Sequence, residues 1–318
     1  MLAGLSLGLC LTSAAVYRMR PGALSQVTLA PPWVWAALGL VLAVASHRRG
    51  SRRRTGLVGL AWLLFVCAFV EEPAALWTQF RQWPTARWLE ASEEGRGLRV
   101  ISLNCMGQDF PVQEALAYGP DLLLLQEVPG TIWQVPRKHP AYRLTPGSPA
   151  ILARGALREV ELPPNDARHL RVARVAVAGQ HFIAASVHLS PQHQGKDVTK
   201  PENWRTASES YSQRAAQAQA LADTLDRISP SAPVIIGGDF NSTAGDSVLA
   251  PLRQRYADSF SAAGIGLGNT VRPWLRLLRV DYIWLDRSLQ AEAVVTRSVP
   301  GTDHCMVICD LTIPHSSR

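Results

Sequence analysis

Residues 234–243 read VIIGGDFNST. Val234, Ile235 and Ile236 are apolar and β-branched in succession, which suits the pleated interior of a sheet. The run then passes through Gly237 and Gly238 into Asp239 and Asn241. A carboxylate at the end of a strand made to be buried is costly unless it is paired or holds a metal. A turn accounts for Gly, Asp and Asn equally well. The rest of the chain has to decide between a turn and a site.

Outward from this stretch, residues 98–313 are short β runs separated by loops. LRVISLN (98–104), DLLLLQE (121–127), RVARVAVA (171–178), HFIAASVHL (181–189), PVIIGGDF (233–240), VDYIWL (280–285), AEAVVTR (291–297) and CMVICDLTI (305–313) read as strands. Residues 212–228 place Ala218, Leu221, Leu225 and Ile228 at helical spacing, and residues 111–119 form a weaker helical pattern that ends at Gly119. Residues 191–210 read as a long polar loop, a kind of segment that often carries function. Trp204, Arg205 and Tyr211 in and beside it could stack a base, touch lipid or only pack the loop.

The strand ends repeat the oddity of Asp239. One run ends in Asn104, another in Glu127, another in His188; Asp281 opens VDYIWL, and Asp303 and His304 precede the last strand. Any one of them is explained by a turn cap or a structural histidine. Seven groups of metal-binding or acid/base type at strand mouths are not, because strand ends of one sandwich gather at one rim, where loops carry function.

These residues, in this order, give a family resemblance. SLN with Asn104, LQE with Glu127, SVHL with His188, GGDFNS with Asp239 and Asn241, VDYIWL with Asp281, and TDH with Asp303 and His304 resemble the endonuclease/exonuclease/phosphatase superfamily, which includes pancreatic DNase, AP endonucleases, neutral sphingomyelinases and inositol-polyphosphate 5-phosphatases. The resemblance spans residues 98–313 and implies an α/β fold, a four-layer α/β sandwich of two packed β-sheets flanked by helices. It departs at Met106, where AP endonucleases carry an acidic residue, so AP-site repair is not expected.

The implied chemistry is phosphoester hydrolysis, which needs a hard cation on the phosphate, an activated water and stabilisation of developing charge. Mg2+ or Mn2+ is the expected cofactor, with Glu127 as chief ligand, Asn104 beside it through its amide oxygen and Asp303 through water. His304 is the expected general base, since an ordinary imidazole pKa of about 6.5 lets it accept a proton near neutrality. Asp281 is expected to orient it and Asp239 to position the attacking water or help protonate the leaving group. Asn241 and His188 are expected on non-bridging oxygens. The expected substrate is a nucleic acid, a phospholipid or a small phosphoester; no protein partner is inferred. The alternative is an inactive binding module of the same fold, which loss of Glu127 or His304 would have favoured. Neither is lost.

Before this domain lie three apolar segments, residues 2–16, 27–46 and 56–70. They lack the polar face of a surface helix, so residues 1–77 are expected to be a membrane anchor of two to three transmembrane helices, with residues 78–97 a linker and 98–318 the domain. The first segment lacks the basic start of a signal peptide. Trp33, Trp35, Trp62 and Trp77 suit interface positions. The net charge of +7 divides into 10 Lys/Arg against 5 Asp/Glu over residues 1–97 and 22 against 20 over residues 98–318. Most of the excess is RRGSRRR (48–54), so the domain lacks a polybasic signature for nucleic acid. Positive loops stay in the cytoplasm. That places the chain in the cell (inner) membrane, multi-pass, with its domain periplasmic or exoplasmic. Five cysteines at irregular spacing read as thiols, with a Cys105–Cys305 bridge left open.

Overall fold

The computed structural model describes residues 2–19, 24, 27–28, 30–47, 52–70, 75, 77–192, 200–228, 232–271 and 278–313. From residue 97 onward it contains two six-stranded sheets. One has the order β11 (Gln290–Ser298), β12 (Cys305–Thr312), β1 (Gly97–Asn104), β2 (Leu122–Gln126), β4 (Ala150–Arg154), β3 (Tyr142–Leu144). The other has the order β5 (Ala156–Glu159), β6 (Leu170–Val177), β7 (Gln180–His188), β8 (Val234–Asp239), β10 (Asp281–Leu285), β9 (Ala257–Asp258). The sheets pack face to face over Val100, Leu122, Leu124, Ala173, Ala184, Ile235, Ile283 and Val307. Helices cover the outer faces, which makes the expected four-layer sandwich.

Each sheet is antiparallel except at its centre, where β1 pairs with β2 and β7 with β8 in parallel. Parallel neighbours need a crossover. The helix Asp109–Ala117 supplies it on one side, and Pro201–Ile228 on the other. This topology brings the C-terminal ends of β1, β2, β7 and β8 to one rim. The antiparallel partners β10 and β12 begin at that same rim, with Asp281 opposite Asp239.

The two glycines of the 234–243 stretch are therefore strand residues, not a turn. A Cβ on Gly238 would fall 2.0 Å from the Val187 carbonyl oxygen, and one on Gly237 would fall 2.6 Å from the Leu124 side chain of the facing sheet. Their smallness lets β8 lie close to both neighbours while it carries Asp239 to the rim.

Eight strands lie within a residue of their expected bounds at each end. One expectation is corrected: residues 201–210 are not loop but the first ten residues of the helix Pro201–Ile228, and residues 193–199 lie outside the described residues. Tyr211 bonds to Ser247 there, and Arg205 is an exposed partner of Glu209. Cys105 and Cys305 remain thiols.

The segment expected to be a linker is not a free tether. It forms the helix Ala86–Glu93, capped by Thr85, whose Oγ1 accepts the Trp88 N–H. Trp88 Nε1 donates to the Leu98 carbonyl at 3.2 Å. The Arg99 guanidinium bonds Asp310 at 2.7 and 2.9 Å and lies over the rings of Trp83 and Trp88. Each such cation–π contact contributes about 0.5–2 kcal/mol.

The three apolar segments are the helices α1 (Leu2–Met19), α2 (Pro32–His47) and α3 (Arg52–Phe69). Among the described residues only α1 is long and apolar enough to cross a membrane by length and composition. The apolar part of α2, Pro32–Ser46, is shorter, and α3 starts with three arginines. The helices pack on one another through Cys10, Tyr17, Ala36, Ala43, Val58, Trp62 and Phe65. Trp62, expected at an interface, is instead fully buried, with Nε1 donating to Ser6 Oγ at 3.0 Å. It lies against Gly39, where a Cβ would fall 1.9 Å from its ring.

Candidate active site

The mouth of the sandwich gathers all eight residues singled out above. Asn104 ends β1, Glu127 follows β2, His188 ends β7, and Asp239 ends β8, with Asn241 two residues on. Asp281 opens β10, and Asp303 and His304 precede β12. Three residues at this rim hold left-handed backbone: Met106, Glu127 and Asn241, with φ of 47°, 44° and 47°. That conformation is costly for side chains other than glycine and collects at functional sites.

Asp239 is the hub, buried to 2 % exposure. Its Oδ1 accepts the Asn241 backbone N–H at 2.9 Å, and its Oδ2 accepts Asn104 Nδ2 at 3.2 Å. His188 Nε2 and His304 Nε2 stand 3.7 and 3.8 Å from the same Oδ2. Asn104 Nδ2 also donates to Glu127 Oε1 at 3.0 Å, while its Oδ1 accepts the Met106 N–H at 3.1 Å. The Asn104 amide thus presents its donor side, not its oxygen, to the two carboxylates. His188 Nε2 lies 3.6 Å from Glu127 Oε1. Asn241 Nδ2 donates to the Leu189 carbonyl at 2.9 Å, which fixes its side chain.

The second arm is an Asp–His pair. His304 Nδ1 bonds Asp281 Oδ2 at 2.9 Å and lies 3.2 Å from Oδ1, which leaves Nε2 toward Asp239 and 3.6 Å from Asp303 Oδ1. Burial works against the charged imidazole. Asp281, by charge and by hydrogen bond, then Asp239 and Asp303, outweigh burial and push His304 up to about 10. The ordinary value that recommended His304 as base does not hold in these surroundings. Burial, then the like charge of Asp281, pushes Asp239 up to about 6, against the pull of His304, His188 and the Asn241 N–H. Asp239 is thus held well above the ordinary carboxylate range.

Four carboxylates meet here, and among the described residues none is paired with a lysine or arginine. Oxygen-rich and short of fixed positive charge, the set suits a hard divalent cation. Asp239, Asp281 and His304 offer ligand atoms within 4.8 Å of one another. However, Asp281 and His304 already satisfy each other. The accessible carboxylates are Glu127 and Asp303, with side chains 46 and 55 % exposed.

Two threonines escaped the sequence reading. Thr270 Oγ1 accepts the backbone N–H of Val280 and of Asp281, both at 3.2 Å. Thr302 Oγ1 donates to the Asn104 carbonyl at 2.8 Å and accepts the His304 N–H at 3.1 Å. Thr302 stood inside TDH, where a hydroxyl two residues before His304 is a turn signal. Thr270 sits in a stretch with no periodicity to mark it.

The sequence profile of the Endonuclease/Exonuclease/phosphatase family matches residues 101–304. No curated protein sequence matches the chain. Solved structures similar to it include an endonuclease/exonuclease/phosphatase from Bacteroides vulgatus, at 15 % identity and TM-score 0.54, over 69 % of this chain and 99 % of that one. A mannosyl-6-phosphatase from Bacteroides thetaiotaomicron is 18 % identical with TM-score 0.52, over 68 and 100 %. The human Nocturnin catalytic domain with bound sulfate is 22 % identical with TM-score 0.50, over 69 and 95 %. At these identities the likeness is one of fold.

Proposed function

Since the chain belongs to the endonuclease/exonuclease/phosphatase family, whose members are phosphoesterases, we propose that it is a divalent-metal-dependent hydrolase of phosphoester bonds anchored in a membrane. The observation that carries the reading is the convergence of Glu127, Asp239, Asp281 and Asp303 with two imidazoles at one mouth, with no lysine or arginine partner among the described residues. Glu127 is the chief candidate to hold Mg2+ or Mn2+, with Asp303 beside it, while Asn104, whose amide N–H faces the carboxylates, would steady Glu127 rather than bind the cation. The bound cation would polarise the phosphate and neutralise charge developing on it.

The chain's own groups divide the proton work. Asp239, poised near neutrality, accepts the proton of the attacking water. His304, held as imidazolium by Asp281, donates from Nε2 to the phosphate or the departing oxygen. His188 and Asn241 lie beside Asp239 to steady the remaining oxygens. This assignment exchanges the roles expected from the ordinary imidazole pKa.

The pH profile tests the exchange. The working state has Asp239 ionised and His304 protonated. Activity is therefore expected to rise as pH passes about 6 and to fall as it approaches about 10, with both limbs lower once a cation binds. A kcat/KM that still climbs through pH 10 returns the base role to His304. The broader reading is tested by incubating the full chain, with and without Mg2+, with bis(p-nitrophenyl) phosphate, DNA, RNA and phospholipid. Failure on all of them under Mg2+ or Mn2+ sinks it.

For the anchor, the support is the inside-out pattern of the three helices. Small, aromatic and hydroxyl side chains fill the middle, including Ser6, whose Oγ donates to the Gly39 carbonyl at 2.6 Å. Leu5, Leu11, Val41, Val44, Leu60, Leu63 and Leu64 face outward at 51–67 % exposure. Lipid accepts such a surface and water does not. At about 1.5 Å per residue α1 is ~27 Å long, close to the hydrocarbon thickness of about 30 Å. Arg48, Arg49 and the three arginines that start α3 would keep that end of the helix in the cytoplasm and send α3 outward. Alkaline phosphatase fused after Gly97 is expected to be active and GFP at the same point dark. The reverse pair would put the active site in the cytoplasm.

A further inference from the structure

We propose that the phosphoester taken by this site belongs to a lipid of the bilayer that holds α1–α3, and that the rim of the mouth rests on that bilayer. The inference rests on the hydrolytic and membrane readings above and adds the substrate class.

The path of the chain brings the segment that follows α3 to the mouth half of the sandwich. β11 runs from Gln290, at the end of the sheet far from the mouth, to Ser298, which pairs with Cys305 next to His304. Arg87 Nη2 donates to Gln290 Oε1 at 3.3 Å, so the start of the helix Ala86–Glu93 lies at the far end. Nine residues earlier, Thr78 Oγ1 accepts the Gly266 N–H at 3.1 Å. That segment runs alongside the mouth half of β11: Ile265 N donates to Val294 O at 2.8 Å, and Thr296 Oγ1 to Leu267 O at 2.8 Å. Read backwards from Arg87 to Thr78, the chain climbs toward the mouth, and α3 ends nine residues before Thr78 in the sequence. From Gly266 to Val271, which bridges His304, is five residues, at most ~18 Å of chain.

Around the carboxylates the rim also carries exposed apolar side chains. Among the described residues after 97, the large hydrophobic side chains left exposed are Met106, Phe110, Trp133 and Leu267, at 42–50 %. All four lie at the mouth end. Met106 follows Asn104 by two residues and its Sδ accepts the Asp303 N–H. Phe110 is in the first turn of the helix that leaves this rim. Trp133 follows Thr131, which bonds Asp109. Leu267 sits on the segment leading to Val271. Trp77 and Phe80, on either side of Thr78 in the chain, are both 84 % exposed. Exposed aromatics beside apolar spans are what the headgroup region accepts.

A nucleic acid would instead need a lysine and arginine track along its phosphates. The domain is nearly neutral, with 22 basic against 20 acidic residues, and its mouth is rich in carboxylates. A lipid arrives without such a track, because the bilayer presents it. Water adds to phosphorus as its proton passes to Asp239, the bond from phosphorus to the departing alcohol oxygen breaks as that oxygen takes the His304 proton, and the proton on Asp239 then returns to His304, whose Nε2 is 3.8 Å away.

The full chain, reconstituted into vesicles of phosphatidylethanolamine, phosphatidylglycerol, cardiolipin and phosphatidylinositol, is expected to release their phosphate headgroups or diacylglycerol when Mg2+ is added. The double variant Phe110→Ala, Trp133→Ala is expected to lose about tenfold on the vesicle lipids relative to bis(p-nitrophenyl) phosphate, measured on the same preparation. A nitroxide on Phe110→Cys, in a Cys67→Ser background, should collide with oxygen more than with a water-soluble nickel chelate, and one on Gln180→Cys at the far end should do the opposite. Hydrolysis of the soluble diester or of DNA with no product from any lipid overturns the lipid assignment and leaves the hydrolase standing. Failure on all substrates sinks both. A Phe110 probe as wet as the Gln180 probe overturns the placement of the rim.

Discussion

Glu127→Gln is expected to lower kcat by ~10³-fold or more and to leave the fold intact. The substitution keeps the shape of the side chain and an oxygen able to accept from Asn104 Nδ2, now at 3.0 Å from Oε1. It removes a negative charge that stands at the mouth, open to solvent and 3.6 Å from His188. A metal on a phosphoryl oxygen supplies several kcal/mol of transition-state stabilisation, and about 1.4 kcal/mol is tenfold in rate. Losing ~4 kcal/mol therefore costs ~10³. The Glu127 side chain is half exposed, so unfolding stability should stay within about 0.5 kcal/mol of wild type. EDTA should bring the wild type to the same floor, and Mg2+ or Mn2+ should restore it. Adding EDTA to the variant should change little, since the same interaction is already gone. A wild type fully active in EDTA would take the cation out of the mechanism.

The residues of this site were legible because each stands where an apolar run stops or starts, and a rim of strand ends is where such runs converge. The surroundings that set their charge were not legible. The pKa of His304 depends on Asp281, Asp239 and Asp303 facing one imidazole, and two of those come from strands far away in the chain. The donor side of Asn104 was likewise invisible, because it depends on the Met106 N–H bending back in left-handed backbone. In the fold, β3, β4, β5 and β9 gave no signal. β4 is five residues of AILAR, too short to alternate and buried at four of five positions, and β5 is ALRE, whose residues favour helix. The first ten residues of Pro201–Ile228 lack an apolar stripe, with Ala207 and Ser210 the buried ones, and are held by contacts such as Ser210 Oγ to the Pro191 carbonyl at 2.9 Å. Pro201 at the helix start was the one local clue. Trp62 misled for a related reason: its indole suits an interface, but Gly39 on α2 opens a slot that takes it inside.

His304→Ala should lower kcat by ~10²-fold or more, whether it loses a proton donor or a charge on the phosphate, since each is worth about that much. Asp281→Asn separates the two arms of the mechanism further. Asp281 is 1 % exposed and bonds Nδ1 at 2.9 Å, so the amide keeps the contact in outline and removes the charge. Without that charge, burial lowers the imidazole and His304 gives up its proton at lower pH than in the wild type. Asp239 loses its like-charged neighbour at the same time and ionises at lower pH as well. Both limbs of the pH profile should therefore move toward acid together, and activity at pH 9 should fall more than activity at pH 6. A variant that merely loosened the site would scale the whole profile down without moving it. His304→Gln, which cannot carry the charge, should lack the alkaline limb altogether. Thermal unfolding of each variant, followed at one pH, separates a shifted mechanism from a damaged fold. If Asp281→Asn left both limbs where the wild type has them, Asp281 would not be the group that holds His304 charged, and the exchange of roles between His304 and Asp239 would fall with it.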